Sequence, residues 1–202
     1  MVTNFLSNFR QHDASQRGFT LIELLVAVAV LAVLLAVGVP SFQSLLASNR
    51  LSSQTNDMIS ALAQARSEAI RRGARVTLCK SSDGTSCTTT GDWEQGWMIF
   101  VDTTRSGTTA QVDTGETIIA VHQSTAAGTV LKGSSAVSSY VSYAADGRVK
   151  LMSGADQSGT LRVCSATSAL TNANRAREIA ITKVGRITSS TPSTVPNTCP
   201  SP

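Results

Sequence analysis

Histidine is nearly absent from this chain, aromatic residues make up 4% of it and charged residues only 15%. Each shortage excludes something. The two histidines are His12, close to the N-terminus, and His122, at the end of an apolar run with no Ser, Cys or Asp partner in a motif. No HExxH, GxSxG, Walker A or dinucleotide-binding pattern occurs, so no catalytic residue is expected and the chain does not read as an enzyme. There is no CxxC pair and no Cys–His cluster, so neither a metal nor a cofactor is expected. The formal net charge of +4 is too small to mark a nucleic-acid binder from total charge alone. No internal repeat is evident.

What is present is one long apolar run. From Gly18 to Pro40 the chain reads GFTLIELLVAVAVLAVLLAVGVP. Leu21 to Val39 as a helix would cover roughly 28 Å, close to the hydrocarbon thickness of a bilayer. The run carries one carboxylate, Glu23. A carboxylate inside a membrane helix costs about 2.5–3.5 kcal/mol on insertion scales, so it needs a partner or a role. Before the run the chain is polar, with Arg10 and Arg17 set against Asp13. A secretory signal places its cleavage site after the apolar core. Here the plausible cut lies before it, between Gly18 and Phe19, which leaves the helix on the mature chain. That cut creates an α-amine on Phe19, one helical turn from Glu23.

Beyond Pro40 the helical pattern turns amphipathic. Leu51, Thr55, Met58, Leu62, Ala65 and Ala69 recur at three- and four-residue steps and line one face, which is expected to pack on a domain. Glu68 and Arg72 are spaced for an i,i+4 pair, and Gly73 marks a stop. A Pro inside the helix, at 40, bends or loosens it. From Arg75 the signal changes to short alternating runs. Strands are expected at 75–79, 96–101, 117–122, 140–144, 148–152, 160–164 and 178–182. Asp146-Gly147 reads as a hairpin turn between the fourth and fifth of these. Residues 102–116 and 165–177 read as loops, and a Pro-rich tail begins at Ser189.

Four cysteines, Cys79, Cys87, Cys164 and Cys199, allow three disulfide connectivities. Cys79 and Cys87 flank the Asp83-Gly84 turn, so a local bridge is the simplest choice. That choice leaves Cys164 with Cys199 and ties the tail to a strand. Loop-closure entropy gives about 2.6 kcal/mol for the short loop and about 3.8 kcal/mol for the long one.

The stretch Gly18-Phe19-Thr20-Leu21-Ile22-Glu23 closely resembles the type III signal of type IV pilins and pseudopilins. Residues 65–70 (ARSEAI), the strand holding Cys79, and Trp93-Glu94-Gln95-Gly96-Trp97 leading into 98–102 (MIFVD) resemble the GspH/FimT/FimU group of minor pilins and pseudopilins. The resemblance implies an α+β, type IV pilin-like fold: a long N-terminal helix, transmembrane in its first half, packed on a small antiparallel β-rich head. It implies a leader at 1–18, a membrane or filament-core helix at 19–40, an amphipathic half at 41–73, a head at 74–188 and a disulfide-tied tail at 189–202. It implies cleavage after Gly18 by a prepilin peptidase, N-methylation of Phe19, and a Glu23 that sets filament register by neutralising a neighbour's amine; Pro40 falls where pilins interrupt the helix. Trp93 and Trp97 are expected on one side of a strand, as packing residues.

The implied role is a minor pilin in type IV pilus assembly, priming or the tip complex. A type II secretion pseudopilin is the structural alternative. The implied partners are other major and minor pilins or pseudopilins, the peptidase and an inner-membrane assembly platform. The implied location is the inner membrane, single-pass with a periplasmic head, and then the filament. A third reading is DNA binding for transformation. The FimT-type Gly-Arg-x-Arg motif has its counterpart at Gly185-Arg186-Ile187-Thr188, where the second Arg is Thr. Candidate DNA contacts are Arg186, Lys183, Arg148 and Lys150, with extracellular DNA as the partner.

Overall fold

The structure is a computed structural model and describes residues 18–105, 107–125 and 127–202. Apart from Gly18, the expected leader lies outside the described residues. One helix, α1 (Leu21–Arg72), is followed by eight strands: β1 (Val76–Lys80), β2 (Trp97–Val101), β3 (Ile118–His122), β4 (Thr129–Gly133), β5 (Tyr140–Tyr143), β6 (Gly159–Ser165), β7 (Ala176–Ile181) and β8 (Ile187–Ser190). Short 3-10 turns occur at Trp93–Gln95 and Ser135–Val137. The chain divides into two compact units, Met1–Pro40 and Ser41–Pro202.

In the first unit every described residue is exposed. The start of α1 is set locally. The Glu23 amide donates to Thr20 Oγ1 at 3.3 Å and the Leu24 amide to the Thr20 carbonyl at 3.1 Å. Thr20 is therefore the N-cap, and Thr20-x-x-Glu23 has the pattern of a capping box.

In the second unit α1 buries Ala47, Leu51, Thr55, Met58, Ala61, Leu62, Ala65 and Ala69, the face expected from the spacing. The helix ends in a Schellman motif. Gly73 has φ +60°, its amide donates to the Ile70 carbonyl, and the Ala74 amide donates to Ala69. Glu68 pairs with both Arg71 and Arg72, the latter at 2.6 Å.

The strands form two antiparallel four-stranded sheets, ordered β3-β2-β1-β5 and β4-β6-β7-β8. The main core combines Leu51, Met58 and Leu62 of the helix with Leu78, Ile99 and Val141 of the first sheet and Leu131, Val163 and Ile179 of the second. A smaller apolar cluster holds Cys79, Met98, Phe100, Tyr140 and Met152, so β1 is buried on both faces. The overall class is α+β: one long helix, apolar in its first half, and antiparallel sheets.

Four local expectations need correction. Trp93 and Trp97 do not share a strand: Trp93 opens a 3-10 turn and only Trp97 enters β2. Gly96 causes the break. Its φ is +119°, and a Cβ there would meet the carbonyl oxygens of His122 and Ser81 at 2.7 and 2.8 Å. The segment 148–152 is not a strand but makes isolated bridges, Tyr143 to Val149 and Lys150 to Asp156. The edge of β5 is shared between this segment, whose Lys150 amide donates to the Ser142 carbonyl at 2.9 Å, and the buried Gln157, whose Oε1 accepts from the Ser142 amide while Nε2 donates to the Tyr140 and Ala136 carbonyls. Strand β4 was not anticipated, because Thr129–Gly133 has only two apolar residues, the adjacent Val130 and Leu131, and so shows no alternation. Finally β8 was not anticipated either: it pairs with β7 as far as Ser190, opposite Glu178, and so takes in the first residues of the expected tail.

Candidate functional site

The N-terminal motif is built by the start of α1. Phe19 is 83% exposed, and every apolar side chain from Leu21 to Val39 is exposed as well. The helix is long and apolar enough to cross a membrane. Glu23 sits in its first turn, where the uncompensated amides of a helix N-terminus favour negative charge. Gly18 meets nothing within 4 Å of an added Cβ, and its backbone is not in the left-handed region. Among the described residues, neither space nor conformation calls for glycine there. Gly38 is likewise open on the helix. α1 is helical through Pro40.

The segment Trp93–Gln95 ties the two sheets together. The Trp93 indole donates from Nε1 to the Val137 carbonyl at 3.1 Å. Glu94 accepts from the amide of Leu131, on edge strand β4, at 3.0 Å, and its own carbonyl accepts from Thr125 at 2.8 Å. Trp97 lies flat against the His122 ring, with centroids 4.0 Å apart, at the wall of a groove of about 270 Å³ between α1 and β3. Both indoles therefore serve packing and framing.

Behind β1 lies a buried polar group. Thr77 Oγ1 is 2.6 Å from Asp102 Oδ2 and 2.8 Å from Ser142 Oγ, and Arg75 Nη1 donates to Ser142 Oγ at 2.8 Å. Burial raises the Asp102 carboxyl above its ordinary range, with Glu116 acting in the same direction against the Thr77 hydrogen bond and the Arg75 charge. Burial lowers the Arg75 guanidinium.

The two disulfides join Cys79 to Cys87 and Cys164 to Cys199, with Cα separations of 5.7 and 5.8 Å. The second encloses a small core with Ala176 and Val195, and Arg162 Nη1 donates to the carbonyls of Pro200 and Ser201.

The basic residues of the C-terminal half divide into engaged and free. Arg175 is buried and donates to the carbonyls of Ser165, Thr167 and Leu170. Arg162 pairs with Glu178 at 2.5 Å. Of the four candidate DNA contacts, Lys150 holds Asp156 at 2.6 Å and Arg148 lies 3.7 Å from the same carboxylate. That hydrogen bond from Lys150 depresses the Asp156 carboxyl, helped by the charges of Arg148 and Lys183. Among the described residues, Lys183 and Arg186 enter no ion pair and both are exposed, at the turn between β7 and β8.

Sequence reasoning overlooked three contributors. The Thr20 cap was signalled by the T-x-x-E spacing. Glu94 as a sheet tie and Gln157 at the edge of β5 left no local pattern. Among the described residues no group of three or more His, Cys, Asp or Glu could hold a metal ion.

A family model described as the type II transport protein GspH matches residues 54–185, and one for the prokaryotic N-terminal methylation motif matches 13–39. The pilin-like protein PilA1 of Thermus thermophilus is 34% identical over 110 residues, 54% of this chain and 60% of that protein. The chain thus spans about 60% of the length of this curated relative. Two crystal structures of the type IV minor pilin FimU of Pseudomonas aeruginosa align over 74% and 73% of this chain and 91% and 96% of theirs, at 23% and 21% identity and TM-scores of 0.48 and 0.45. With a family model covering more than half of its length, from the last turns of α1 to the β7–β8 turn, the chain belongs to the GspH family of pilin-like proteins.

Proposed function

We propose that this chain is a minor pilin that enters a type IV pilus through its N-terminal helix. One observation carries the reading: a methylation-motif N-terminus opens a helix whose apolar side chains from Leu21 to Val39 are all exposed around a single carboxylate. Such a surface is stable only in lipid or against similar helices. Residues 1–18 are the leader, 19–40 the membrane and filament-core segment, 41–73 the helix half that carries the head, and 74–202 the head with its tied tail. A prepilin peptidase cuts after Gly18. Nothing among the described residues calls for the glycine, which fits a demand imposed by the active site of another protein. Phe19 is then N-methylated. Glu23 sets register, since a subunit out of step leaves that charge unpaired in a dry core. The chain waits in the inner membrane with its head in the periplasm, an oxidising compartment that suits the two disulfides, and its partners are other pilins and the assembly platform.

The description of the matching family model favours a second reading, a pseudopilin of type II secretion, which uses the same residues in a different machine. DNA uptake ranks below both, because Asp156 occupies Arg148 and Lys150.

The test is the intact mass of the protein from membranes and from sheared surface filaments. A mass lacking residues 1–18 and gaining one methyl group, found in the filaments, supports the minor-pilin reading. The same mass confined to membranes supports the pseudopilin. An uncut mass overturns both.

A further inference from the structure

Beyond Leu46, the exposed large apolar side chains among the described residues are Ile70, Val121 and Val184, and two of these three fall at one place. The turn at Gly147 and the turn at Gly185 lie back to back. A Cβ on Gly185 would stand 2.1 Å from the Gly147 carbonyl oxygen, and one on Gly147 would stand 2.9 Å from Ile70 Cδ1. Both glycines have positive φ, +76° and +79°. Arg66 crosses the junction: its Nη2 donates to the Val184 carbonyl at 3.1 Å, and its Nε would lie 3.0 Å from a Cβ on Gly185. Ile70, at the end of α1 beside the Gly147 turn, and Val184, on the Gly185 turn, are 54% and 52% exposed and lie on either side of one guanidinium. Arg148 adjoins Gly147 and Lys183 and Arg186 flank Val184-Gly185 in the sequence, and the Val149 amide, donating to the Lys183 carbonyl at 3.0 Å, fixes the two turns further.

We infer that this paired-turn surface docks a neighbouring pilin through a patch on the partner that has an apolar centre and an acidic rim. The inference rests on the minor-pilin reading. Charge complementarity selects the rim, since among the described residues Lys183 and Arg186 are exposed and enter no ion pair. The apolar pair selects protein over nucleic acid. A strand of phosphates gains nothing from Ile70 and Val184, no exposed aromatic side chain is present there for a base to stack on, and Asp156 already occupies two of the cations. Apolar centre and cationic rim follow the general anatomy of protein interfaces. The glycine-locked turns have little conformational freedom left to lose on docking.

The experiment uses the full-length chain in its own cells, with p-benzoylphenylalanine in place of Val184. Irradiation should give an adduct with a second pilin, and mass mapping should place the adduct next to an Asp or Glu. Adding Lys183→Glu and Arg186→Glu should reduce it at least tenfold, with both disulfides still intact by mass, and a carboxylate-to-lysine change on the mapped partner should restore it. The probe placed instead at Val121 should not respond to these charge changes. No adduct at 184, an adduct indifferent to charge reversal, or a nuclease-sensitive adduct overturns the inference. Intact mass on the same sample separates the two claims. A processed, methylated chain without the adduct sinks this inference alone, whereas an uncut chain sinks the minor-pilin reading.

Discussion

The carboxylate of Glu94 holds the amide of Leu131 at 3.0 Å, so a side chain from one sheet's approach turn satisfies the edge strand of the other. Charge-assisted hydrogen bonds of this kind contribute about 1.5–3 kcal/mol. Glu94→Ala should lower stability by about that amount, and Glu94→Gln, which keeps an acceptor, by clearly less. Urea unfolding of the detergent-solubilised chain, followed by the fluorescence of Trp93 and Trp97, checks this. Equal losses in the two variants would mean that the carboxylate charge, not acceptor geometry, matters.

Gly96→Ala tests the correction at the WEQGW segment. The new methyl would lie 2.7 Å from the His122 carbonyl oxygen with φ held at +119°. Backbone strain of this sort costs on the order of 1–3 kcal/mol, and the clash adds to it. The expected result is a lower unfolding midpoint with loss of the close Trp97–His122 packing. An unchanged midpoint would contradict the tight passage between β1 and β3.

Asp102 should make the protein less stable at neutral pH than it could be. Its folded value is raised, chiefly by burial, so the folded state binds the proton more tightly than the unfolded chain, whose value is about 3.9. The favourable contribution is full below that value and disappears as pH rises through the raised folded value. Asp102→Asn, which still accepts from Thr77, should therefore be as stable as the parent or more so at pH 7, and lose that advantage on acidification. Unfolding curves at several pH values decide it. An advantage that grows towards acid pH would refute the sign.

Cys164→Ser together with Cys199→Ser should release the tail. The loop-closure argument predicts a loss of about 3.8 kcal/mol. Limited proteolysis should then cut between Ser190 and Cys199 at a concentration that leaves the parent intact. Resistance of the double variant would show that Val195 and the Arg162 contacts hold the tail unaided.

Thr20→Ala should weaken the start of α1 by about 0.5–2 kcal/mol, and Thr20→Ser should restore it. Amide exchange at Glu23 and Leu24 in micelles reads this directly. Identical protection in all three chains would remove Thr20 as the cap.

The helix and most of the sheets were legible because each rests on a local period. Leu51, Met58, Leu62 and Ala65 announce one buried helical face, and 98–101 announce a strand buried on both sides. Asp146-Gly147 announced its turn, closed by the Ala144 amide on the Arg148 carbonyl at 2.9 Å. What escaped depends on contacts between distant residues. Gln157 completes the edge of β5 by reaching the Ser142 amide, and β4 is specified by its partner β6 more than by its own alternation. The basic count of the C-terminal half overstated its free charge for the same reason. Nothing next to Arg175 in the sequence reveals that carbonyls enclose it, and nothing near Lys150 reveals that its lysine holds Asp156.

The cap at Thr20 has a consequence for maturation. Both bonds that begin α1, from Glu23 and Leu24, end on Thr20, on the side that a cut after Gly18 would retain. Among the described residues, severing that peptide bond would break neither of these two hydrogen bonds. The cap that starts the helix would thus stay with the retained chain, and proteolysis would add a charge at the new end, next to it in the sequence.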